Sequence, residues 1–394
     1  MAPLNVKILV VGNYRPTVAA VRSLGRAGCE LVVGCPPLRA YAERSRYVGE
    51  AWAHPALSDA EPFAVSLLDI LARRPDIDAI FPVSGLAIMR LCEIQDRLPR
   101  PLPVVMPAPR LVEICDDKTA LLDVAQRVGV PYPAWEIVPD GAHLAAAAAR
   151  IGFPCVVKPA MAERQLFGEK ALILRDSAGL QARLPDWPED GGELLVQHYV
   201  EGLRHNLHLV AKDGKLLRCL DTVSLRTQRL NGSGLTVSSV SVPTPPAMRD
   251  WCARLLEAID YTGIGCLQFL DDRQRGEVAF LELNPRMAAG SGVAPFCGLD
   301  LPRHALELAL GLPVAAECAP DCYRMGVRYA WTEGDLAGLA TSLRQGDIGI
   351  GDAATWLGRT VRDALSADIH AAWDWRDMGP TLAIYRRRIR LGQG

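Results

Sequence analysis

The chain has 394 residues, too many for one ordinary compact core, so two or three lobes are expected. A net charge of -2, with 22% charged residues, argues against a nucleic-acid binder or a polyacidic tail. No apolar run reaches 18 residues, so no membrane span is expected, and eleven cysteines without a CxxC pair fit reduced, mostly buried thiols in a cytoplasmic protein.

Residues 7–35 read as strand, loop, helix and strand: "KILVVG", "RPTVAAVRSLGRAG" and "CELVVGC". "DAIFPVSG" (78–85) and "LPVVMP" (102–107) read as a third and a fourth strand. Such alternation predicts a parallel sheet covered on both faces. The first loop, "GNYRPTV", lacks GxGxxG and carries Pro16 where a dinucleotide loop needs free N–H groups, so no nicotinamide or flavin site is expected. "CDDKTALLDVAQRVGVPYP" (115–133) predicts a helix capped by Asp116 or Asp117 and ended at Gly129. An Ala-rich helix follows at 142–150, then strands "GFPCVVKPA" (152–160) and "ELLVQHYVEG" (193–202). "HNLHLVAKDGKLLRCL" (205–220) predicts a hairpin on Asp213-Gly214, 248–263 an amphipathic helix, and 265–286 a second hairpin around Gly276. The tail from about 312 reads as an appended subdomain.

The second hairpin carries the chemistry. Gln268 lies on its first strand, and Glu282 and Asn284, two apart, lie on its second and share a face. These are hard oxygen donors with one formal charge, suited to Mg²⁺ held mainly by phosphate oxygens. Arg286, just past the strand, is placed to reach a phosphoryl group. Upstream, Lys158 ends the apolar strand "CVVKP", a poor place for a solvated side chain. Lys118 stands 40 residues earlier, near a helix start.

In that order and spacing, "DDKTALLDVAQRVGVPYP", "GFPCVVKPA", "LLVQHYVEG" and "GCLQFLDDRQRGEVAFLELNPRMAAGSG" resemble the ATP-grasp superfamily, and the last hairpin resembles its carbamoyl phosphate synthetase large-subunit branch. The resemblance spans 115–292, and residues 1–114 resemble the domain that usually precedes it. It implies an α/β protein with an N-terminal parallel-sheet domain (1–114), an ATP-grasp first lobe or lid (115–196), a second lobe with the metal site (197–311) and a C-terminal extension (312–394). It implies ATP between the lobes, phosphates on Lys118 and Lys158, and adenine against the backbone of Gln197, His198, Tyr199 and Val200. Mg²⁺, or Mn²⁺ in its stead, would sit on Gln268, Glu282 and Asn284, with the transferred phosphoryl group on Arg286. The implied chemistry activates a carboxylate as an acyl phosphate that an amine displaces.

Two stretches depart from the family pattern. The loop after Lys158, "PAMAERQLFGEKALI", has one glycine, Gly168, leaving Arg164 or Lys170 as side-chain substitutes. After the hinge, "VEGLRHNLH" lacks the usual ribose acid and leaves Glu201 or Asn206 in its place. For the substrate, Arg226 and Arg229 beside "NGSG" are candidate carboxylate clamps, with Ser291 a candidate donor. Arg15 and Ser84 fall at the carboxyl ends of first-lobe strands. The expected function is an ATP-dependent carboxylate–amine ligase acting on small molecules, a possible homodimer by analogy, with neither nucleic-acid nor membrane partners. The alternatives are carboxylation with bicarbonate and an ATP-sensing module without turnover.

Overall fold

A computed structural model describes residues 2–391 apart from 38–40, 162–163, 168, 170, 189–191, 231 and 315–321, and the backbone alone for 387–391. The chain opens with β1 (Lys7–Val11), α1 (Arg15–Arg26), β2 (Glu30–Cys35), β3 (Val48–Ala53), α2 (Ala60–Arg73), β4 (Ala79–Pro82) and α3 (Gly85–Ile94). The strands form a parallel sheet in the order β3-β2-β1-β4. Its unbroken apolar strands follow from burial on both faces. Ile8 and Val10 pack with Val18, Val21 and Leu24 of α1, while Leu9 and Val11 pack with Phe63, Leu67 and Leu71 of α2.

The fourth strand is a correction. "LPVVMP" makes only an isolated bridge, Val104 to Ile80, because Pro103 and Pro107 bring no N–H to a ladder. The missing strand is β3, an edge strand in which only Trp52 is buried, so no apolar pattern marks it.

Two helices, α4 (Pro109–Asp116) and α5 (Lys118–Arg127), lead into the next layer. Asp117 is the cap of α5, accepting from the N–H groups of Thr119 and Ala120. A lid follows, built from β5 (Trp135–Val138), α6 (Leu144–Ile151), β6 (Cys155–Pro159), β7 (Leu172–Leu174), α7 (Ser177–Arg183) and β8 (Leu194–His198). Its sheet order is β5-β8-β6-β7, with Val157, Leu172 and Val196 packed on Leu144, Ala148 and Leu180 of the helices.

The largest sheet contains β9 (Leu203–Lys212), β10 (Lys215–Thr227) and β11 (Thr236–Ser241), then, after α8 (Pro246–Ala258), β12 (Gly263–Asp272) and β13 (Glu277–Asn284). Asp213 and Gly214 both take positive φ, 49° and 71°, as a two-residue hairpin turn with the strands' twist requires. After α9 (Leu301–Ala309) come β14 (Arg328–Ala330), α10 (Thr332–Gln345), α11 (Ile350–Ser366), β15 (Ile369–His370) and α12 (Met378–Leu391). The order is β13-β12-β9-β10-β11-β14-β15, so the tail adds two strands to this sheet.

Arg226 ties the tail down. Its Nε donates to Asp363 (2.7 Å) and its other nitrogens to Asp335. Asp335 also accepts from Trp356 and Thr360. Arg226 is therefore an internal anchor and not a free substrate clamp. Asp377 joins the tail to the first sheet through Arg22 and Ser45.

Candidate functional site

One face of the large sheet is apolar: Leu207, Leu209, Leu267 and Phe269 pack on Leu255 and Leu256 of α8 and on Leu121 of α5. Strand alternation places polar side chains on the other face. The register pairs Glu282 with Gln268, Gln268 with Asn206, and Asn206 with Thr222. Two residues along, Asn284 pairs with Cys266 and Cys266 with His208. Gln268, Glu282 and Asn284 thus meet on one face, joined by Asn206 and His208.

Hydrogen bonds order the row. Asn284 Nδ2 donates to Glu282 Oε1 at 2.7 Å, and Gln268 Nε2 donates to Asn206 Oδ1 at 3.0 Å. Those bonds use the amide nitrogens of Gln268 and Asn284 and one oxygen of Glu282. Among the described residues no three His, Cys, Asp or Glu side chains cluster as a metal site. One carboxylate and two amide oxygens fit an ion that takes most of its ligands from phosphate and water.

The charges agree. Burial alone would raise the Glu282 pKa, but the Asn284 hydrogen bond and the fields of Lys158, Arg286 and Arg204 outweigh it and hold the carboxyl below its ordinary value. Burial lowers the Lys158 pKa while Glu282 opposes that shift. Lys158 therefore faces the carboxylate across the space between lid and sheet. Lys118 reaches the same end of the lid strand, where its Nζ donates to the carbonyls of Pro159 (2.8 Å) and Ala160 (3.3 Å).

The family described as "Carbamoyl-phosphate synthase L chain, ATP binding domain" matches residues 117–317, just over half of the chain. The chain belongs to that family. This carbamoyl-phosphate synthase-type ATP-binding domain has the ATP-grasp fold, preceded here by the parallel-sheet region. It is 26% identical over 210 residues to the N-terminal section of the carbamoyl phosphate synthase large chain of Methanopyrus kandleri, covering 50% of this chain and 36% of that protein. The chain spans about a third or less of the length of the curated relatives it matches first. Among solved structures, biotin carboxylase from Campylobacter jejuni superposes with a TM-score of 0.64 at 16% identity, covering 82% of this chain and 74% of that one. An L-amino acid ligase from Bacillus licheniformis gives 0.64 at 14% identity, covering 82% and 78%. At those identities the likeness is one of fold.

Several expected positions differ in the ATP-grasp geometry. β8 is paired on both edges, so the N–H of His198 donates to Ala134 and that of Tyr199 to Pro154, and neither is free for adenine. Gln197 is buried with its Nε2 unpartnered, Val200 is buried, and Glu201 is exposed at the turn. Asn206 lies in the metal row beside Gln268 and not at a ribose edge, because the β9 register carries it two strands in from β13. Arg229 is paired with Glu169 of the lid (2.7 Å) and with Gln345 (2.8 Å), so it too is no free clamp. Ser291 donates its hydroxyl to Ala288 O at 2.7 Å, closing its own turn. Ser84 caps α3, accepting from Ala87 N–H. Arg164 lies against Gly192 of the lid, while Gly168 and Lys170 lie outside the described residues.

Arg204 is the residue that sequence reasoning missed. It looked like a departure after the hinge, yet its charge acts on Glu282. Its Nη2 donates to Gly234 O and Thr236 Oγ1, and its buried Nε has no partner. The signal was period two: Arg204, Asn206 and His208 alternate on β9 with buried His205, Leu207 and Leu209.

Proposed function

We propose that the chain is an ATP-dependent carboxylate–amine ligase that releases ADP and phosphate. The observation that carries this is the joining of Lys158, Arg204 and Arg286 around one ionised carboxylate, Glu282, within a row of oxygen donors. Three cations around a single acid suit a polyanion brought in with a divalent metal, and phosphoryl transfer needs positioning and charge neutralisation more than a protein nucleophile. Glu282, with the amide oxygens of Gln268 and Asn284, would hold Mg²⁺, which supplies charge neutralisation on the phosphates. Lys158 and Lys118 orient the phosphate chain at the end of β6. Arg286 takes up charge on the transferred group.

A carboxylate oxygen attacks the γ-phosphorus, the bond to the β–γ bridging oxygen breaks, and ADP leaves. The amine nitrogen then attacks the acyl carbon, the C–O bond breaks, and phosphate departs carrying the oxygen that came from the carboxylate. Carboxylation is the second reading, favoured by the kinship with carbamoyl phosphate synthase chains and by a 24% identical putative urea carboxylase of Emericella nidulans that matches 76% of this chain. In that case bicarbonate is the acid activated.

Isotope tracing tests both. The protein is incubated with Mg·ATP, a pool of amines and either a pool of ¹⁸O-carboxylate acids or ¹⁸O-bicarbonate, and the released phosphate is weighed by mass spectrometry. Label arriving from the acid pool supports the ligase. Label only from bicarbonate supports carboxylation, and AMP with pyrophosphate contradicts both.

A further inference from the structure

A second cationic feature lies outside the nucleotide site. A small cleft of about 50 Å³, open at its mouth, runs between α1, the segment 289–296 and the β14–β15 edge. Arg15, Ala19, Gly292, Phe296, Tyr329 and His370 are among its walls. Ala289 and Gly292 of its wall follow Arg286 by three and six residues in the chain.

Three arginines of α1 border the cleft, and two are neutralised. Arg22 pairs with Asp377 at 2.8 Å, and Arg26 with Asp374 at 3.6 Å. Arg15 differs. Its guanidinium carbon lies 3.5 Å from the Trp331 ring centroid, and its Nη1 donates to Tyr329 Oη at 3.0 Å. Among the described residues no carboxylate pairs with it, and its Nε and Nη2 N–H groups have no acceptor. Arginine carries about 2 kcal/mol of rotamer entropy, and here an aromatic face and a hydroxyl have already removed much of that freedom. What remains is a fixed, half-buried fork with two parallel donors facing a cleft. Tyr14, whose hydroxyl donates to Val83 O, lies in the fields of both Arg15 and Arg286.

We propose that Arg15 holds a carboxylate of one of the two substrates. Two parallel N–H donors match the spacing of a carboxylate's oxygens. The inference rests on the ligase reading for its place in the reaction, but the binding site stands on Arg15 and its cleft alone.

The test omits nucleotide, so its failure is distinct from failure of the ligase reading. Saturation-transfer NMR is run on the full chain with a mixture of the twenty common amino acids and succinate, at about 5 mM each. The strongest binder is then compared with its carboxamide counterpart, and inorganic phosphate is added as a competitor. The expected result is an acid that binds the wild-type protein at least about tenfold more tightly than its amide. Arg15→Gln should lose that acid by a similar factor, and Arg15→Lys should be intermediate. The proposal is overturned if no acid binds, if acid and amide bind alike, if Arg15→Gln binds as wild type, or if phosphate occupies Arg15 in preference to every acid. Should Arg15→Gln not fold, the acid–amide comparison on the wild-type protein decides alone.

Discussion

Lys158 loses basicity to burial and regains part of it from Glu282, whose own carboxyl the Lys158 field helps to hold below its ordinary value. Lys158→Ala removes the charge that meets the phosphates. Mg·ATP affinity should fall roughly 10- to 100-fold by calorimetry, and unchanged affinity would contradict the role given to Lys158. His208 makes a different prediction. Burial pushes its pKa down to about 4, from an ordinary value of 6.5. Between those values the unfolded chain binds a proton that the folded chain does not, so stability rises with pH there. The contribution is fully present above 6.5 and is lost as pH falls toward 4, a loss of about 3 kcal/mol. His208→Gln should flatten the dependence between pH 6.5 and 4 in urea denaturation, and an unchanged slope would show that His208 is not the group responsible.

At the scale of elements, α11 is turned inside out. Its buried face is Trp356, Thr360 and Asp363, while Ile350, Leu357, Val361 and Leu365 are exposed. The hold on the sheet is therefore polar and runs through Arg226, Asp335 and Asp363. Arg226→Ala leaves Asp335 buried without its cation and Asp363 with only the exposed Arg362, and should destabilise the chain by roughly 3–5 kcal/mol in chemical denaturation. A loss under 1 kcal/mol, about that of an exposed pair, would mean that the tail is held by something else. Sequence alone reads Arg226 as a free clamp because its partners lie more than a hundred residues away. The same limit hid Asn206, whose place in the metal row depends on the register of β9 against β12. The Gln268, Glu282 and Asn284 set was legible because a tight hairpin and a period of two fix it locally. β1, β2 and β4 were legible as doubly buried apolar runs, and β3 was not, because an exposed edge strand needs no apolar pattern.

Across the whole molecule, among the described residues, the lid is joined to the rest by packing, with Leu195 of β8 in the core beneath the large sheet, and by polar ties. Lys118 of α5 binds the carbonyls at the end of β6, and Arg229 of the β10–β11 connection binds Glu169 beyond it. Both ties end on described residues that follow Lys158, namely Pro159, Ala160 and Glu169. In the proposed reading, Glu282 is where the metal brought in with the nucleotide would meet the three cations. The most direct measurement compares wild type with Glu282→Gln, a nearly isosteric change that removes the charge. Each is incubated with Mg·ATP and the pools of acids and amines, ADP is separated from AMP, and melting temperatures confirm that both fold. ADP and phosphate from wild type alone are predicted, with the variant falling by roughly 100-fold or more. Equal ADP release from a folded Glu282→Gln protein would contradict the account.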